Sequence, residues 1–198
     1  MALVPTTKLE AVNACLSNIG EAPVASLTGL QVDAQVASSI IDEVSREVQT
    51  HGWHWNSEVH TLKPDINSEI KLPANAFRVD TVQEDVSTDV IQRGMKLYDR
   101  KENSYKFTKA LKLRLTVGLD FDDLPEAARR YITVRSIRVF QERTLGSDSL
   151  SKFNRADEQQ AWGLLQHEEA ETADYNVLTD SYSTYSMVGR YAPVRRTY

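Results

Sequence analysis

The stretch GWHWN, residues 52–56, lies among three histidines, which are His51, His54 and His60. Imidazole is a common zinc ligand, and exposed indoles can form an aromatic cage, so a metal site or a ligand cage is one interpretation. An H-x-x-H spacing without supporting cysteine or carboxylate ligands is, however, a weak zinc signal. We therefore predict neither a metal ion nor a cofactor for this chain.

The same stretch also has an architectural interpretation. Gly52 follows the last apolar residue of a predicted helix, where glycine readily adopts the left-handed conformation that ends helices. If a strand follows, Trp53 and Trp55 point to one face of it and His54 points to the other. Two indoles bury a large apolar area. Gly52, Trp53 and Trp55 are therefore predicted to form a joint between the helices and the next subdomain.

Paired carboxylates near the end of the chain suggest a second kind of chemistry. Glu168 and Glu169 invite comparison with glycosidases, which place two acids on either side of the scissile bond. Such catalysis needs one carboxyl group in a dry pocket that raises its pKa, whereas acids in series on one helix usually form a solvated face. The sequence also lacks a Gly-rich phosphate loop and a G-x-S-x-G motif. No catalytic residue is predicted.

The charge of the chain argues against a protein whose main task is to grip nucleic acid. The formal net charge is -5, whereas nucleic-acid binding requires a basic face that displaces counterions. One predicted helix nevertheless carries several arginines, which keeps a DNA-binding module open as a rival class. We expect these side chains to pair with acids of the following helix. They are Arg129, Arg130, Arg135, Arg138 and Arg143.

Cysteine and hydropathy patterns place the chain among globular proteins without a membrane anchor. Cys15 is the single cysteine and lies on an apolar helical stripe, which favours a buried thiol. The first ten residues lack a signal-peptide pattern, and no apolar run approaches the ~20 residues that span a bilayer. We expect a soluble protein made in the cytoplasm.

Periodicity predicts an antiparallel helix pair at the start of the chain. Thr7 and Glu10 have the spacing of a capping box, and the stripe that follows ends at Gly20. A second helix is predicted from Asp33 to Val48, with its apolar stripe directed towards the first.

Residues 57–117 change to the two-residue period of strands. We predict a small antiparallel β subdomain with one buried and one solvated face. The predicted strands are a broken one before Pro64, a short one at EIKLP, then AFRVDTV, a hairpin around Arg93-Gly94, YKF and LKLRLTV.

A long helix is predicted with Asp123 and Pro125 in its opening turn and Gly146 past its end, and a fourth begins near Ser151 or Asn154. The long helix has apolar residues on two nearly opposite sides. It is therefore either the central helix of a monomeric bundle or a helix that also contacts a second subunit. The candidates for a subunit interface are Arg130, Val134, Ile137, Arg138 and Phe140. The fourth helix is expected to bury Ala161, Trp162, Leu165 and Ala173 and to direct Asp157, Glu158, Glu168, Glu169 and Glu171 outwards.

The last segment has little periodicity and is rich in tyrosine and arginine, which are typical anchors of protein interfaces. We predict an extended docking arm over residues 176–198, and a frayed terminus is the alternative. The candidate docking residues are Tyr175, Tyr182, Tyr185, Arg190, Tyr191, Arg195, Arg196 and Tyr198.

These elements together predict an α+β fold. An antiparallel α-helical bundle, built from residues 1–56 and 118–175, carries an inserted β subdomain at residues 57–117 and ends in the extended arm.

The order of motifs resembles the tail tubular protein A family, the head-to-tail adaptors of T7-like short-tailed phages. The matching segments are LEAVNACLSNIGEAPVASL, VQTHGWHWN, LP, LYDR, FDDLPEAARRYITVRSIRVFQERTLG and EAETADYNVLTD. The AVN-x3-L-x2-IGE-x-PV pattern, the GW-x-x-N box and the D-x-x-P-E helix are the most specific. The resemblance covers about residues 8–180. The residues from Ser181 onwards depart from the family pattern.

The resemblance implies a structural role in the virion tail. Members of this family form a dodecameric ring between the portal protein and the tail nozzle, tail tubular protein B, and extend the DNA channel. DNA is then expected to pass without sequence-specific binding. A tail-associated hydrolase of host-surface glycans remains the alternative function.

Overall fold

In a computed structural model, residues 4–29, 31–82, 85 and 87–172 are described, and they form an α+β fold as predicted. The helices are α1 (Lys8–Asn18), α2 (Val32–Gln49), α3 (Glu126–Thr144) and α4 (Asp148–Thr172). The strands are β1 (Ser57–Leu62), β2 (Ala76–Thr81), β3 (Val90–Arg93), β4 (Lys96–Asp99) and β5 (Leu111–Val117). Short 3-10 turns occur at His54–Asn56 and Phe121–Asp123.

Helices α1 and α2 form from the signals that the sequence contains. The Thr7 hydroxyl accepts the backbone N–H of Glu10, and the Glu10 carboxylate accepts the backbone N–H of Thr7, so the capping box is complete. The connection to α2 is held by Asn13, whose amide donates to the Val24 carbonyl at 3.0 Å and accepts the Val24 N–H at 2.8 Å. The capping box therefore fixes the start of α1, and Asn13 holds the following loop against that helix.

Helix α3 is the centre of the bundle, since it packs against α1, α2 and α4. Ile132 and Val134, which lie on different sides of α3, are both buried. The two-sided apolar pattern is thus accounted for within one chain. The fourth helix begins at Asp148, a few residues before its expected start.

The strands form two separate antiparallel units. A three-stranded sheet has the order β1-β5-β2, and β3 and β4 form a hairpin around Gly94. In β5, Leu111, Leu113 and Leu115 are buried and Arg114 is exposed, which is the alternation predicted for a one-sided sheet.

Some predicted strands of residues 57–117 are wrong. YKF is no strand, because Lys106 makes only an isolated bridge to Glu69. EIKLP is likewise reduced to isolated bridges. The strand predicted to be broken before Pro64 is instead a continuous β1. Hydrogen bonding to neighbours distant in sequence decides these cases, and local alternation does not reveal it.

The buried apolar residues form two hydrophobic clusters, one among the helices and one among the strands. One joins the four helices to Trp53 and Phe121, and the other lies beneath the sheet and the hairpin. Leu119 contacts both. We call the two sides the bundle and the β region. Within the described part of the chain, no helix is both long and apolar enough to cross a membrane.

Candidate functional site

The chain passes between the bundle and the β region twice, once after Asn56 and once after Val117. Asn56 is 0% exposed, and its amide nitrogen donates to the carbonyl oxygens of Gln49 at 2.8 Å and Val117 at 3.0 Å. Its amide oxygen accepts the backbone N–H of Trp53 at 2.8 Å. One side chain thus ties the end of α2, the turn and the end of β5 together.

Gln49 likewise connects α2 to the second crossing, where it binds the backbone of Leu119, two residues after Val117. The side chain is 1% exposed and donates to Ser45 Oγ at 2.9 Å and to the Leu119 carbonyl at 3.0 Å. Its amide oxygen accepts the Leu119 N–H at 2.7 Å. Because buried amides are costly unless they are paired, this arrangement fixes the path of the chain on both sides.

Trp53 contributes the apolar part of the same crossing, in the core of the bundle. It is buried, and its indole N–H donates to the Val48 carbonyl at 2.8 Å. Its ring stacks on Trp55 with a centroid distance of 6.3 Å and an interplanar angle of 6°. It meets Trp162 of α4 edge to face at 5.6 Å, and Trp162 lies 5.0 Å from Tyr131 of α3. The aromatic cluster therefore joins the turn to both helices.

The backbone around these tryptophans differs from the prediction. Residues 54–56 form a 3-10 turn rather than a strand, so the parallel indoles arise from a turn and not from strand alternation. Gly52 has φ +83°, the left-handed conformation expected of it, but the helix cap itself is Thr50. A Cβ on Gly52 would lie 3.1 Å from Thr116 Oγ1, so the position is also crowded.

His54 attaches the end of α4 to this turn. The Glu169 carboxylate accepts the His54 backbone N–H at 2.8 Å and contacts the imidazole Nδ1 through its second oxygen. The prediction that Glu169 points outwards is therefore wrong. Gly52–Asn56, Gln49, Trp162 and Glu169 are called the joint below.

A second polar cluster lies where α2, α3 and α4 meet. Arg135 pairs with Glu47 of α2 at 2.6 Å and with Glu158 of α4 at 3.2 Å. Arg138 pairs with Glu142 at 2.8 Å and also contacts Glu158. Glu158, which was expected to face solvent, instead lies between two guanidinium groups. The carboxylates that pair with these arginines belong to α2, α3 and α4, whereas the sequence predicts partners from α4 alone.

The contacts of this cluster favour the charged forms of Arg138 and Glu142. Hydrogen bonding to Glu158 raises the pKa of Arg138 despite its partial burial. The hydrogen bond from Ser151, followed by that from Arg138, lowers the pKa of Glu142. Two further arginines are also engaged: Arg143 pairs with Glu43 of α2 at 2.8 Å, and Arg129 donates to backbone carbonyls.

The surface above the cluster is a groove of about 650 Å³. Its lining residues, here called the arginine groove, are Tyr131, Arg135, Arg138, Arg155, Glu158, Gln159 and Trp162. A smaller pocket of about 180 Å³ shares Tyr131, Arg135 and Trp162 with it and reaches Trp53. The groove is therefore continuous with the joint.

Comparison with known proteins assigns this architecture to a family. A family model described as a tail tubular protein matches residues 9–175. The chain belongs to the tail tubular protein family. It is also 29% identical over 142 residues to a protein named Tail tubular protein A of Klebsiella phage KP34, a match that covers 72% of this chain and 75% of that protein. The family resemblance seen in the sequence is confirmed, and the chain is a structural component of a phage tail.

Within this tail tubular protein, the predicted subunit-interface residues fall into different surroundings. Val134 and Phe140 are 5% and 1% exposed and pack in the chain's own core, so they are not available to a second subunit. Ile137 is partly buried, and Arg138 lines the arginine groove. Arg130 is exposed, and it makes no ion pair with the residues that the structure describes. The predicted docking residues from Tyr175 to Tyr198, and Ala173, lie outside the described residues.

The three histidines that suggested metal chemistry do not converge on one site, because each has a different contact. His60 contacts Glu58 at 2.6 Å, His51 lies against Trp53, and His54 contacts Glu169. Among the described residues, no group of three histidine, cysteine or acidic side chains is placed to hold a metal ion. Cys15 is buried, and burial raises the pKa of its thiol to about 12.

Sequence reasoning did not identify the buried amides of the joint. The GW-x-x-N box includes Asn56, which marks the position but not its partners. Gln49 falls on the buried stripe of α2, where a polar residue is unusual. That contrast is the signal that points to Gln49.

Proposed function

We propose that this tail tubular protein is the adaptor of a short-tailed phage, forming a ring between the portal protein and the tail nozzle through which DNA is ejected. The observation that carries this proposal is the joint, in which buried amides fix the bundle relative to the β region. An adaptor must present two different surfaces to two different rings at a constant angle. A subunit whose two regions are connected in this way meets that requirement.

The ring is proposed to be dodecameric and to repeat one heterologous contact around a closed axis. With Val134 and Phe140 buried in the core, Arg130, Ile137 and Arg138 remain the candidates for this contact. A change of Arg130→Glu is then expected to weaken ring formation without unfolding the subunit. Light scattering of the variant against the unchanged protein measures this.

The two ends of the subunit are assigned to two partners. The arm, with the candidates from Tyr175 to Tyr198, is proposed to clasp the portal protein, and the β region to face the nozzle, tail tubular protein B. Interface anchors of the tyrosine and arginine type support the first assignment. The protein is proposed to be made in the host cytoplasm before it joins the virion tail.

DNA is proposed to slide through the ring without sequence-specific contacts. The net charge of -5 disfavours retention of phosphates. Arg135, Arg138 and Arg143 are engaged by carboxylates, which reduces the positive charge that they offer to DNA. We also propose that the protein has no enzymatic activity, since Glu169 is engaged by His54 and Glu168 lies exposed beside it.

The test is to mix the purified protein with the portal ring of its source phage and to determine the mass and symmetry of the product by light scattering and electron microscopy. A second ring stacked coaxially on the portal supports the adaptor function. No complex with folded protein contradicts it. The double change Arg195→Glu with Arg196→Glu is expected to weaken binding, whereas Lys63→Glu with Arg114→Glu, on exposed parts of the β region, is the matched control.

A further inference from the structure

Strand β1 leaves one edge of the three-stranded sheet open. The order β1-β5-β2 makes β1 and β2 the edge strands, and among the described residues no further strand pairs with β1. The residues from Glu58 to Thr61 are all exposed, and Val59 is 51% exposed. An open edge presents unpaired N–H and C=O groups to which another strand can bind.

The two edges of the sheet are protected to different degrees. Strand β2 has a bulge between Ala76 and Arg78, and it packs against β3. Strand β1 pairs regularly with β5 over Ser57–Leu62 and contains neither lysine nor proline. Bulges, lysines and prolines are common devices that prevent the addition of a further strand. The edge of β1 is therefore the one that can accept a partner.

The hydrogen bonds of β5 show which way its backbone groups point. The Lys112 carbonyl accepts the Val82 N–H at 3.0 Å, and the Lys112 N–H donates to Asp85 at 2.8 Å. The backbone of Lys112 therefore faces the β2 side of the sheet. Because successive residues of a strand direct their backbone groups to opposite edges, Leu113 faces β1 and bonds to His60, its partner there.

The residues of β1 that alternate with His60 direct their N–H and C=O groups to the open edge. They are Ser57, Val59 and Thr61. If a second copy of β1 adds to this edge in the antiparallel direction, these residues must pair with one another, since each hydrogen-bonded pair joins two residues that face the same gap. Registers centred on Glu58, on Val59 or on His60 meet this condition.

The side chains distinguish these registers. Centring on Val59 places Val59 against its own copy, Ser57 against Thr61 and Glu58 against His60. Within one copy, Glu58 and His60 already contact each other at 2.6 Å, so their side chains are complementary. Centring on Glu58 sets two carboxylates directly opposite each other, which is destabilising. Centring on His60 sets two imidazoles opposite each other and leaves Glu58 against Leu62.

We propose that the open edge of β1 binds β1 of a second copy of this chain, antiparallel and centred on Val59. The two sheets then form one continuous sheet of the order β2-β5-β1-β1-β5-β2. The contact is isologous, so it closes a dimer and cannot extend into a ring. A single pair of short strands is much smaller than the ~1,600 Å² of a standard interface, so the dimer is weak and depends on concentration. This contact goes beyond the adaptor function and does not rest on it.

The first experiment is disulfide trapping of the full chain at high concentration. Val59→Cys is expected to form a covalent dimer on oxidation, because hydrogen-bonded partners lie about 5.5 Å apart between Cα atoms, within the range of disulfides. Thr61→Cys is the matched control, since it is also exposed on β1 but lies about 13 Å along the strand from its own copy in this register. The native Cys15 is buried and does not compete.

The register is tested by mixing two variant chains. Ser57→Cys and Thr61→Cys chains are expected to link to each other, whereas neither links to its own copy. Non-reducing electrophoresis measures the rates, and mass spectrometry identifies the link. Equal rates for Val59→Cys and Thr61→Cys overturn the proposal. Folded Val59→Cys protein that gives no dimer also overturns it, as expected if another segment or another protein occupies the edge.

The second experiment tests the acid–imidazole pair in the Val59→Cys chain. His60→Glu sets a carboxylate opposite Glu58 of the other copy and is expected to lower the rate of disulfide formation about fivefold. Adding Glu58→Lys is expected to restore the rate. His167→Glu, the same substitution at an exposed position of α4, leaves the rate unchanged. A rate that is insensitive to His60→Glu, or one that Glu58→Lys does not restore, rules out this register.

The outcome is independent of the adaptor function. A link between two copies of the same residue requires a twofold axis, whereas neighbours in a larger ring meet through different residues. The portal protein is absent from both experiments. Failure of the β1 dimer therefore leaves the adaptor function untouched, and failure of portal binding leaves the dimer untouched.

Discussion

The joint and the arginine groove lie side by side and hold their elements together in opposite ways. At the joint, neutral amides are fully buried and their hydrogen-bonding groups have defined partners. At the groove, charged side chains are paired but remain in contact with solvent. Buried neutral networks fix one geometry, whereas solvated ion pairs contribute little stability and can exchange partners. The joint therefore holds one geometry, whereas the side chains of the groove can change partners.

The largest loss of stability is expected from a substitution in the apolar part of the joint. Trp53→Ala removes a buried indole that contacts Trp55 and Trp162, so the free energy of unfolding should fall by roughly 3 to 5 kcal/mol. Urea unfolding followed by far-UV circular dichroism measures this. Trp55→Ala, at a half-buried position, is the comparison and should cost less. An unchanged unfolding midpoint for Trp53→Ala would show that the joint is not a centre of stability.

The second largest loss of stability is expected when the buried amide of Asn56 is removed. Asn56→Ala leaves the carbonyls of Gln49 and Val117 and the N–H of Trp53 without their partner, which should cost roughly 2 to 4 kcal/mol. Asn67→Ala, at an exposed turn, provides the control and should change the unfolding free energy by less than about 0.5 kcal/mol. If the two variants lose similar amounts of unfolding free energy, the buried amide of the joint is no more important for stability than an exposed turn.

Substitutions at two glycines are expected to change the stability of the protein by smaller amounts and in opposite directions. Gly52→Ala forces a left-handed alanine close to Thr116 and should destabilise the protein by about 1 to 2 kcal/mol. Gly163 lies within α4 with no atom near its missing Cβ, so Gly163→Ala should stabilise by about 0.5 to 1 kcal/mol. Thermal unfolding of both variants tests the pair, and the expected result is a shift of the midpoint in opposite directions.

The smallest effect concerns the ion pairs and depends on pH. Hydrogen bonds from Arg143 and from Ser151 lower the pKa values of Glu43 and Glu142, respectively, below the ordinary 4.5. A carboxyl with a lowered pKa in the folded state stabilises fully above its ordinary pKa, and this contribution is lost as the pH falls through the folded value. Stability should therefore decline modestly below about pH 4.5. Glu43→Gln with Glu142→Gln should flatten this part of the profile, as measured by urea midpoints between pH 3 and 7.

The sequence predicts the fold class and the helices well because their signals are local. The Thr7 capping box, the stripe of α2 and the Pro125 start of α3 each lie within one turn of the boundary that they define. The start of α4 is less well marked, and the sequence predicts it a few residues later than Asp148, where the helix begins. Alternation within YKF predicts a strand that the long-range pairing does not support.

The joint is only partly predictable for the same reason. The partners of Gln49 and Asn56, Leu119 and Val117, are 70 and 61 residues away, so no local pattern connects them. Two tryptophans separated by one residue fit a strand and a 3-10 turn equally well. Val134 and Phe140 illustrate a further limit, since a two-sided apolar helix does not reveal whether its second cover is intramolecular.

The two crossings of the chain have a mechanical consequence. Ser57 lies opposite Thr116, so the crossings form a hydrogen-bonded ribbon that is wider than it is thick. Such a ribbon resists bending within its own plane, where one strand must stretch relative to the other, more than it resists bending across its faces. Bending at this ribbon is therefore more costly within the plane of the sheet than perpendicular to it. A sideways push within the plane of the sheet is transmitted between the bundle and the β region with little deflection.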